Sequence, residues 1–329
     1  MSAMAKYNHV ETISASKVRS YLTCPYMHFL DTYIREASIP ITAFTAKQYW
    51  LKDAMRNLFP DEQHVGPDLL DIEDLRGEEL AKYLNNHSPS AFGNAVENLW
   101  RMFVIDGDGR VHGREVAWRY YDQWETIGHQ LKTACANFYK VLMAEGPPII
   151  AFNNKDDPIY HDQDKFGVRF DAVRKGPVVC KYGGRKMAQR ELDTDWLATL
   201  QMFALSTIAS QSQNYRRHLG IRKREWQEIM PEITYRYYNL ARGEMMESTR
   251  TVEAVPEMIE IVEEAKKGMK TKPVAKPTHK NCSACRYNVF NGAGEIVCQR
   301  KNPKVAPLLL RSSLTETSGG VEEEGEGEE

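Results

Sequence analysis

The chain has 329 residues, which is enough for one large domain or two modest ones. Apolar residues at 42% and charged residues at 27% are ordinary for a globular protein, and six cysteines are too few for a disulfide-rich secreted domain. The formal net charge is −2, but six of the last eight residues are glutamates, and without those six the chain has 43 basic and 39 acidic residues.

The N-terminal part of the chain predicts helices and no export signal. Residues 1–17 lack the apolar stretch of a signal peptide, and no segment approaches the roughly 18 apolar residues of a membrane span, so we expect a cytoplasmic protein with no membrane partner. Ser14 or Ser16 can cap a helix that ends at Cys24. Residues 36–90 indicate helical and irregular structure.

The middle of the chain changes from a helical period to a strand period. A helix is predicted from near Gly93, and a long amphipathic helix over roughly 115–144. Segments 158–160, 167–173 and 177–182 then alternate like strands and are separated by polar turns.

The C-terminal part returns to helix and ends in a polar tail. A helix is predicted from about Asp195, a strand over 233–238, and a last helix opening at Pro256. The Ser/Thr/Gly/Glu-rich segment from about residue 312 is typical of disorder. We therefore divide the chain into an N-terminal helical segment, a central core, a C-terminal cysteine segment and an acidic tail. Their ranges are 1–90, 91–250, 251–311 and 312–329.

Four cysteines have the spacing of a metal centre. Cys282 and Cys285 form a CxxC pair, Cys298 follows 13 residues later, and Cys24 lies near the other end of the chain. A CxxC pair presents two thiolates to one metal, and two further cysteines can complete a four-thiolate set. The alternative is that these are ordinary buried or surface thiols.

Four polar residues stand at positions where a solvent-facing role is not obvious. Asp171 and Lys181 occur at the ends of two apolar strand patterns, Glu97 lies on the preceding helix and Gln201 on the following one. Carboxylates bind a hard divalent cation, which lowers the pKa of bound water, and a lysine beside it stabilises developing negative charge. Taken singly, each residue is more often a turn former or a solvated side chain, so the order of the four carries the prediction.

This order, inside the cysteine bracket, resembles the PD-(D/E)XK nuclease superfamily in its RecB-like, iron–sulfur branch, which includes CRISPR-associated RecB-like exonucleases, the AddB nuclease domain and phage relatives. The match covers about residues 12–300. The segments that resemble the family motifs are Ser14 to Tyr26, Gly93 to Glu97, Gly167 to Asp171, Lys181 to Gly183, and Gln201.

The resemblance implies a restriction-endonuclease-like α/β core, a small mixed sheet flanked by helices. It also implies that Glu97 and Asp171 bind Mg²⁺ or Mn²⁺, and that Lys181 and Gln201 are catalytic. A [4Fe–4S] cluster would join the two ends of the chain through Cys24, Cys282, Cys285 and Cys298. Zinc is the alternative metal at these four thiolates.

One position departs from the family pattern. The acid expected two residues before the lysine is Val179, which cannot bind a cation. Acids on the next helix that could replace it are Glu191, Asp193 and Asp195. Cys180 is a poor substitute, because Mg²⁺ prefers oxygen and because Cys180 alternates away from the face of Val179 and Lys181.

Basic residues suggest a track for the DNA backbone. Arg216 and Arg217 lie in a segment that interleaves cations with aromatic residues, and Arg185 and Lys186 follow the predicted catalytic lysine. Solvated polar connections are the alternative. The acidic tail is expected to solvate the chain or to bind a partner protein.

Three functional hypotheses follow. The first is a metal-dependent DNA nuclease, more specifically an exonuclease, acting on single strands or duplex ends in DNA processing, recombination or repair. The second is a nuclease-fold subunit that holds DNA or a partner without cutting, because of Val179. The third is a zinc protein unrelated to nucleases.

Overall fold

We describe the protein from a computed structural model. The residues that it describes are 13–33, 40–56, 87–107, 109–146, 148, 150–151, 166–211, 216–217, 219–221, 230–271, 285, 287 and 298. The helices in these ranges are α1 (Ala15–Thr23), α2 (Pro25–Tyr33), α3 (Ala43–Arg56), α4 (Pro89–Asp106), α5 (Gln123–Glu145), α6 (Gln189–Asp193), α7 (Trp196–Gln211) and α8 (Ala254–Thr271). The strands are β1 (Ile13–Ser14), β2 (Ile41–Thr42), β3 (Arg110–Val111), β4 (Arg114–Ala117), β5 (Ile150–Ala151), β6 (Phe166–Gly167), β7 (Ala172–Arg174), β8 (Val178–Gly183), β9 (Thr234–Asn239) and β10 (Glu244–Thr249).

A five-stranded mixed sheet forms the centre of the described structure. Its order is β10-β9-β8-β7-β5, in which β8 and β9 are parallel and every other neighbouring pair is antiparallel. A parallel pair needs a long crossover, and α7 lies in the connection between β8 and β9. The sequence favours this strand–helix–strand arrangement, because the apolar helix α7 lies between the largely apolar strands β8 and β9.

The two faces of the sheet pack against different helices. On β8, Val178, Cys180 and Tyr182 belong to a core that includes residues of α3, α4 and α5, whereas Val179 belongs to a second core with residues of α1, α7 and α8. Because side chains alternate along a strand, Lys181 projects to the face of Val179.

Helices α1 and α3 are linked to the central part of the chain, α1 through a strand pair and α3 through a shared core. Ser14 caps α1 by accepting a hydrogen bond from the N–H of Lys17 at 3.3 Å, and β1 pairs in parallel with β6 just before Asp171. Helix α3 packs on α5 and places Leu51 and Met55 in the same core as Tyr182. The N-terminal segment thus shares its core with the central strands.

The structure confirms a mixed α/β architecture of small sheets flanked by helices, and it differs from the predicted elements in three places. The helix predicted over 115–144 begins only at Gln123, because the preceding residues form β4, which pairs with β2 and β3. The strand predicted over 167–173 is divided into β6 and β7, so Asp171 precedes a strand instead of ending one. Strand β10 had no predicted counterpart, and segment 158–160 lies outside the described residues.

Four other predictions agree with the structure. The strands at 177–182 and 233–238 correspond to β8 and β9, and the last two predicted helices correspond to α7 and α8. No helix in the described part of the chain combines the length and apolar character needed to cross a membrane.

Candidate active site

Asp171 and Lys181 meet at one end of the β7–β8 pair. Ala172 at the start of β7 is paired with Cys180 of β8. Asp171 immediately precedes Ala172 and Lys181 immediately follows Cys180, so in this antiparallel pair Asp171 and Lys181 lie opposite each other. The Nζ of Lys181 lies 3.0 Å from Oδ2 of Asp171, and the same oxygen accepts a hydrogen bond from the N–H of Tyr182 at 3.1 Å. The strand register therefore produces the acid–lysine pair that the sequence predicted.

A second lysine contacts the same carboxylate. Lys52 of α3 places its Nζ 3.7 Å from Oδ1 of Asp171, whose side chain is only 8% exposed. Burial raises the pKa of Asp171, but Lys181, Lys52 and the N–H of Tyr182 together lower it by more, so its net shift is downward. Asp171 raises the pKa of Lys52, but burial and neighbouring cations together lower it by more, so the net shift of the Lys52 pKa is downward. One carboxylate thus lies between two ammonium groups.

Glycine follows Lys181 and Tyr182 because the next strand comes close. A Cβ on Gly183 would lie 2.6 Å from the hydroxyl oxygen of Tyr237, a residue of β9. That hydroxyl donates to the carbonyl of Arg185 at 2.7 Å. Tyr237 therefore fixes the chain just beyond Lys181, which explains the glycine at position 183 in structural terms.

Gln201 holds the segment before Asp171. Its amide nitrogen donates to the carbonyl of Arg169 at 2.5 Å, and its amide oxygen accepts from the hydroxyl of Tyr235 at 3.1 Å. The side chain is 2% exposed, so both ends of the buried amide are satisfied. Gln201 is therefore a positioning residue that joins α7, β9 and the backbone next to Asp171.

A cleft of about 710 Å³ opens beside this pair. The cations that line it are Arg19, Lys52, Lys181 and Arg185, and among the described lining residues Asp195 is the one carboxylate. Such a surface favours an anionic ligand. The aromatic lining residues are Tyr26, Phe44, Tyr49, Tyr182, Tyr235 and Tyr237.

Three of the predicted cluster cysteines line the same cleft. Cys24 ends α1, where its N–H donates to the carbonyl of Ser20 at 3.0 Å. Cys285 and Cys298, from the C-terminal part of the sequence, also line the cleft, and Cys282 lies outside the described residues. Within the described residues, no three His, Cys, Asp or Glu side chains form a group that could hold a metal ion. The described structure therefore places three of the four predicted thiols around one cleft, without bringing them together as a metal-binding group.

Glu97 has different neighbours from Asp171. Its carboxylate oxygens lie 2.5 Å from Nδ1 of His129 and 3.0 Å from Nζ of Lys132, both on α5. Neither Glu97 nor Asp171 is among the described residues that line the cleft, but Asp171 contacts Lys52 and Lys181, which line it. The described contacts therefore place Asp171 beside the cleft and Glu97 at the α4–α5 contact.

Val179 is fully buried in the core with α7, consistent with its lack of a ligand atom. Of the three acids considered in its place, Glu191 forms an ion pair with Arg185, and Asp193 accepts from Ser248 at 2.6 Å. Asp195 lines the cleft, and its Oδ1 accepts from the N–H of Leu197 at 2.9 Å. Asp195 is therefore the acid that the structure brings to the cleft.

The two remaining cysteines lie in the core. Cys180 faces the opposite side of the sheet from Lys181, as its position in the strand predicts, and burial raises the pKa of its thiol to about 11. Burial also raises the pKa of the Cys135 thiol. Neither residue is among the described residues that line the cleft.

The basic residues predicted to contact DNA occupy two places. Arg185 lines the cleft, and Lys186 is exposed beside it. Arg216 donates to the carbonyl of Ala209 at 2.9 Å. Arg217 is exposed and lies two residues before Leu219, whose carbonyl accepts from the N–H of Gly176 in the turn before β8. This pair is thus at the opposite end of β8 from Lys181.

Sequence reasoning did not identify Lys52, Arg19 or Tyr235 as site residues. Lys52 lies on a helix 119 positions before Asp171, and no motif marks it. Tyr235 belonged to a correctly predicted strand, and its alternation with Tyr237 indicated only a shared face. The proximity of these residues depends on long-range packing.

The chain matches no protein-family model, and no curated protein matches it.

Proposed function

We propose that this protein is a metal-dependent DNA nuclease of the RecB-like kind. The observation that carries the proposal is the contact between Asp171 and Lys181 beside a cleft lined by Arg19, Lys52 and Arg185. Phosphodiester hydrolysis needs such a combination, because the backbone must be held by cations while charge increases at the reacting phosphate.

The roles of the side chains follow from their positions. The ammonium of Lys181 would stabilise negative charge on the phosphate, and Gln201 would keep Asp171 in place through the carbonyl of Arg169. Arg19 and Arg185 would bind neighbouring phosphates, while the exposed ring of Phe44 and the half-buried ring of Tyr49 offer surfaces on which bases can stack. DNA is therefore the polymer that matches both the charge and the rings of the cleft.

In this proposal, Asp171 is the carboxylate that would bind a divalent cation. Oδ2 of Asp171 already accepts from Lys181 and from the N–H of Tyr182, so Oδ1 is the oxygen that would hold Mg²⁺ or Mn²⁺. Mg²⁺ commonly uses one or two carboxylates, substrate phosphate and water. When bound, the cation would lower the pKa of a water ligand and neutralise charge on the phosphate.

The three cysteines that line the cleft support a structural metal cluster as part of the same proposal. Thiolates are ligands for iron–sulfur clusters and for zinc, and Cys24, Cys285 and Cys298 line one cleft from two distant parts of the sequence. Cys282 would be the fourth ligand. A [4Fe–4S] cluster there would stabilise the part of the cleft formed by these cysteines.

A second candidate function is DNA binding without cleavage. It is favoured by the burial of Val179 in the apolar core and by the two lysines that contact Asp171. A single carboxylate between two ammonium groups attracts phosphate more readily than a divalent cation.

An assay of binding and cleavage separates these candidates. Labelled single-stranded and duplex DNA would be incubated with the purified protein in Mg²⁺ and in Mn²⁺, with Asp171→Asn and Lys181→Met as test variants. Lys47→Met, a change on α3 outside the described cleft lining, would be the charge-matched control. We expect cleavage by the wild type and the control and its loss in both test variants, which still bind DNA. Binding without cleavage by the wild type would support the second candidate, and failure to bind either DNA would exclude both.

A further inference from the structure

The cleft beside Asp171 has an excess of positive charge that its described neighbours do not neutralise. Lys52 and Lys181 both contact the single carboxylate of Asp171, and Arg185 forms an ion pair with a glutamate of α6. Arg19 is exposed, and no described acidic side chain forms an ion pair with it. Even when the lining carboxylate and these two acidic partners are counted, the four cations leave the cleft positive, which favours an anion.

The densest acidic segment of the chain is 322–329, which has six glutamates in eight residues and lies outside the described residues. Neither a cation nor an aromatic residue interrupts it, so its chemistry is that of a polyanion. An extended chain rises about 3.3 Å per residue, and one strand of B-DNA has a phosphate about every 3.4 Å. The three consecutive glutamates at 322–324 would therefore present charges at a similar spacing along an extended chain.

The cleft lies within reach of this segment. Cys298 lines the cleft, and Glu322 follows it by 24 residues. A connection of this length spans about 36 Å as a helix and at most about 80 Å when fully extended. Because the connection begins at the cleft, either length is enough for the glutamates to return to its cations.

Carboxylates suit the cations of the cleft but not its rings. The guanidinium groups of Arg19 and Arg185 bind carboxylates and phosphates in the same bidentate way. Glutamates have no bases to stack on Phe44 or Tyr49, so each contact is weaker than that of a nucleotide. Attachment to the same chain compensates, because a tethered ligand competes at an effective concentration on the order of millimolar.

We infer that the glutamates of 322–329 occupy the cationic cleft when DNA is absent, so that the protein competes with DNA for its own binding site. This inference rests on the proposed function, since DNA is the ligand that displaces the segment. The competition lowers the apparent affinity for DNA without closing the site. Because both ligands bind through charge, the effect of the segment is largest at low salt.

The first test detects the contact without DNA. A water-soluble carbodiimide joins a carboxylate to an amine where the two are in contact, and mass spectrometry of the digested protein identifies the pairs. We expect cross-links from 322–329 to Lys52 or Lys181, and fewer of them when excess ten-nucleotide oligothymidylate is added. The 3.0 Å contact between Glu97 and Lys132 is the internal positive control. A mixture of ordinary and isotope-labelled protein separates cross-links within one molecule from those between two.

The second test measures DNA binding by full-length variants. Fluorescence anisotropy would follow a labelled oligothymidylate with phosphorothioate linkages and no added divalent cation. The test variant combines Glu322→Gln, Glu323→Gln and Glu324→Gln. The control combines three substitutions on the exposed face of α8 and changes the net charge equally; they are Glu257→Gln, Glu260→Gln and Glu264→Gln.

We expect the test variant to tighten the DNA dissociation constant by about threefold or more at low salt, which corresponds to a wild-type cleft that is free for about a third of the time. The α8 variant should remain near the wild-type value, and the gain should shrink as salt screens the charges. Circular dichroism would verify that both variants are folded.

Three outcomes would overturn the inference. They are the absence of cross-links from 322–329 to the cleft lysines in samples where Glu97 and Lys132 are joined, cross-links found only between two molecules, and an equal gain in the α8 variant. If the wild type and the variants all fail to bind the oligonucleotide, the proposed function is wrong. The cross-links formed without DNA would still decide whether the segment occupies the cleft.

Discussion

A buried glutamine sets the position of the candidate catalytic acid. Gln201 has no charge and is not among the described residues lining the cleft, yet its amide connects the carbonyl of Arg169 to the hydroxyl of Tyr235. Because Arg169 is two residues before Asp171, we expect that loss of the Gln201 amide would shift the short backbone segment that ends at the Asp171 carboxylate.

Replacing Gln201 by Leu should destabilise the protein by about 1–3 kcal/mol, because the hydroxyl of Tyr235 and the carbonyl of Arg169 would lose partners in a buried place. Urea unfolding followed by circular dichroism would measure the change. Tyr235→Phe removes only one of the two bonds and should cost less. The double variant should cost less than the sum, and a Gln201→Leu protein within about 0.5 kcal/mol of the wild type would show that the bonds contribute little.

Residue-level prediction succeeded where strand alternation controls the outcome. Cys180 faces away from Lys181, as the period of two along β8 predicts, and the contact of Asp171 with Lys181 follows from the pairing of β7 with β8. Lys52 could not be predicted, because its contact with Asp171 depends on how α3 crosses the end of the sheet. Arg216 could be recognised as basic, but its distance from Lys181 depends on the return path of the chain after α7.

At the scale of elements, the close contact of α4 and α5 depends on a residue without a side chain. A Cβ at Gly93 would lie 2.6 Å from the carbonyl oxygen of Lys132 and 3.3 Å from the Cβ of Ala136. These atoms belong to the backbone and the short side chains of α5, so they cannot move aside independently. The same helix pair carries the contacts of Glu97 with His129 and Lys132.

Gly93→Ala should therefore lower stability, even though alanine favours a helix by about 1 kcal/mol over glycine. Overpacking typically costs about 1–3 kcal/mol, and here a helix must move as a whole. Asn94→Ala, on the exposed side of the same turn, is the matched control and should change stability by less than about 0.5 kcal/mol. Thermal and urea unfolding would measure both. A Gly93→Ala protein more stable than the wild type would show that the helices can separate without cost.

Elements were predictable from the sequence wherever the period was clear and local. Strands β8 and β9 and helices α7 and α8 are continuous apolar patterns with recognisable ends. Residues 115–117 of β4 were included in the predicted helix over 115–144. Pairing with β2 and β3, which lie far away and across a turn, decides in favour of the strand.

At the scale of the whole molecule, described residues from early and late in the sequence line one cleft. Cys24 follows the first helix, and Cys285 and Cys298 follow the last described helix, yet all three line the cleft that contains Lys181. The set of four cysteines predicts that a metal joins these two parts of the sequence. The sequence did not indicate that they would meet beside the acid–lysine pair, because this depends on the packing of α1 against α8.

Removal of one cysteine ligand should lower both the iron content and the thermal stability of the protein. Cys24→Ala should lower the iron content of the purified protein and its melting temperature, since a cluster joins segments far apart in sequence. Cys135→Ala, which deletes a thiol from the core, should lower stability while leaving iron unchanged. Iron analysis, absorption spectra and thermal unfolding would be measured on the same samples. Full iron occupancy in Cys24→Ala would exclude Cys24 as a ligand, and a colourless protein containing zinc would identify the alternative metal.

The alternation of β8 has a consequence for how this protein can diverge over evolutionary time. Its odd-numbered residues face the core with α7 and the cleft, and its even-numbered residues face the core with α3. One inserted or deleted residue in the turn before β8 would exchange the two sets and bury Lys181 in place of Tyr182. Descendants of this gene can therefore change many side chains in this hairpin, but those that retain its chemistry are expected to keep the ten-residue separation between Asp171 and Lys181.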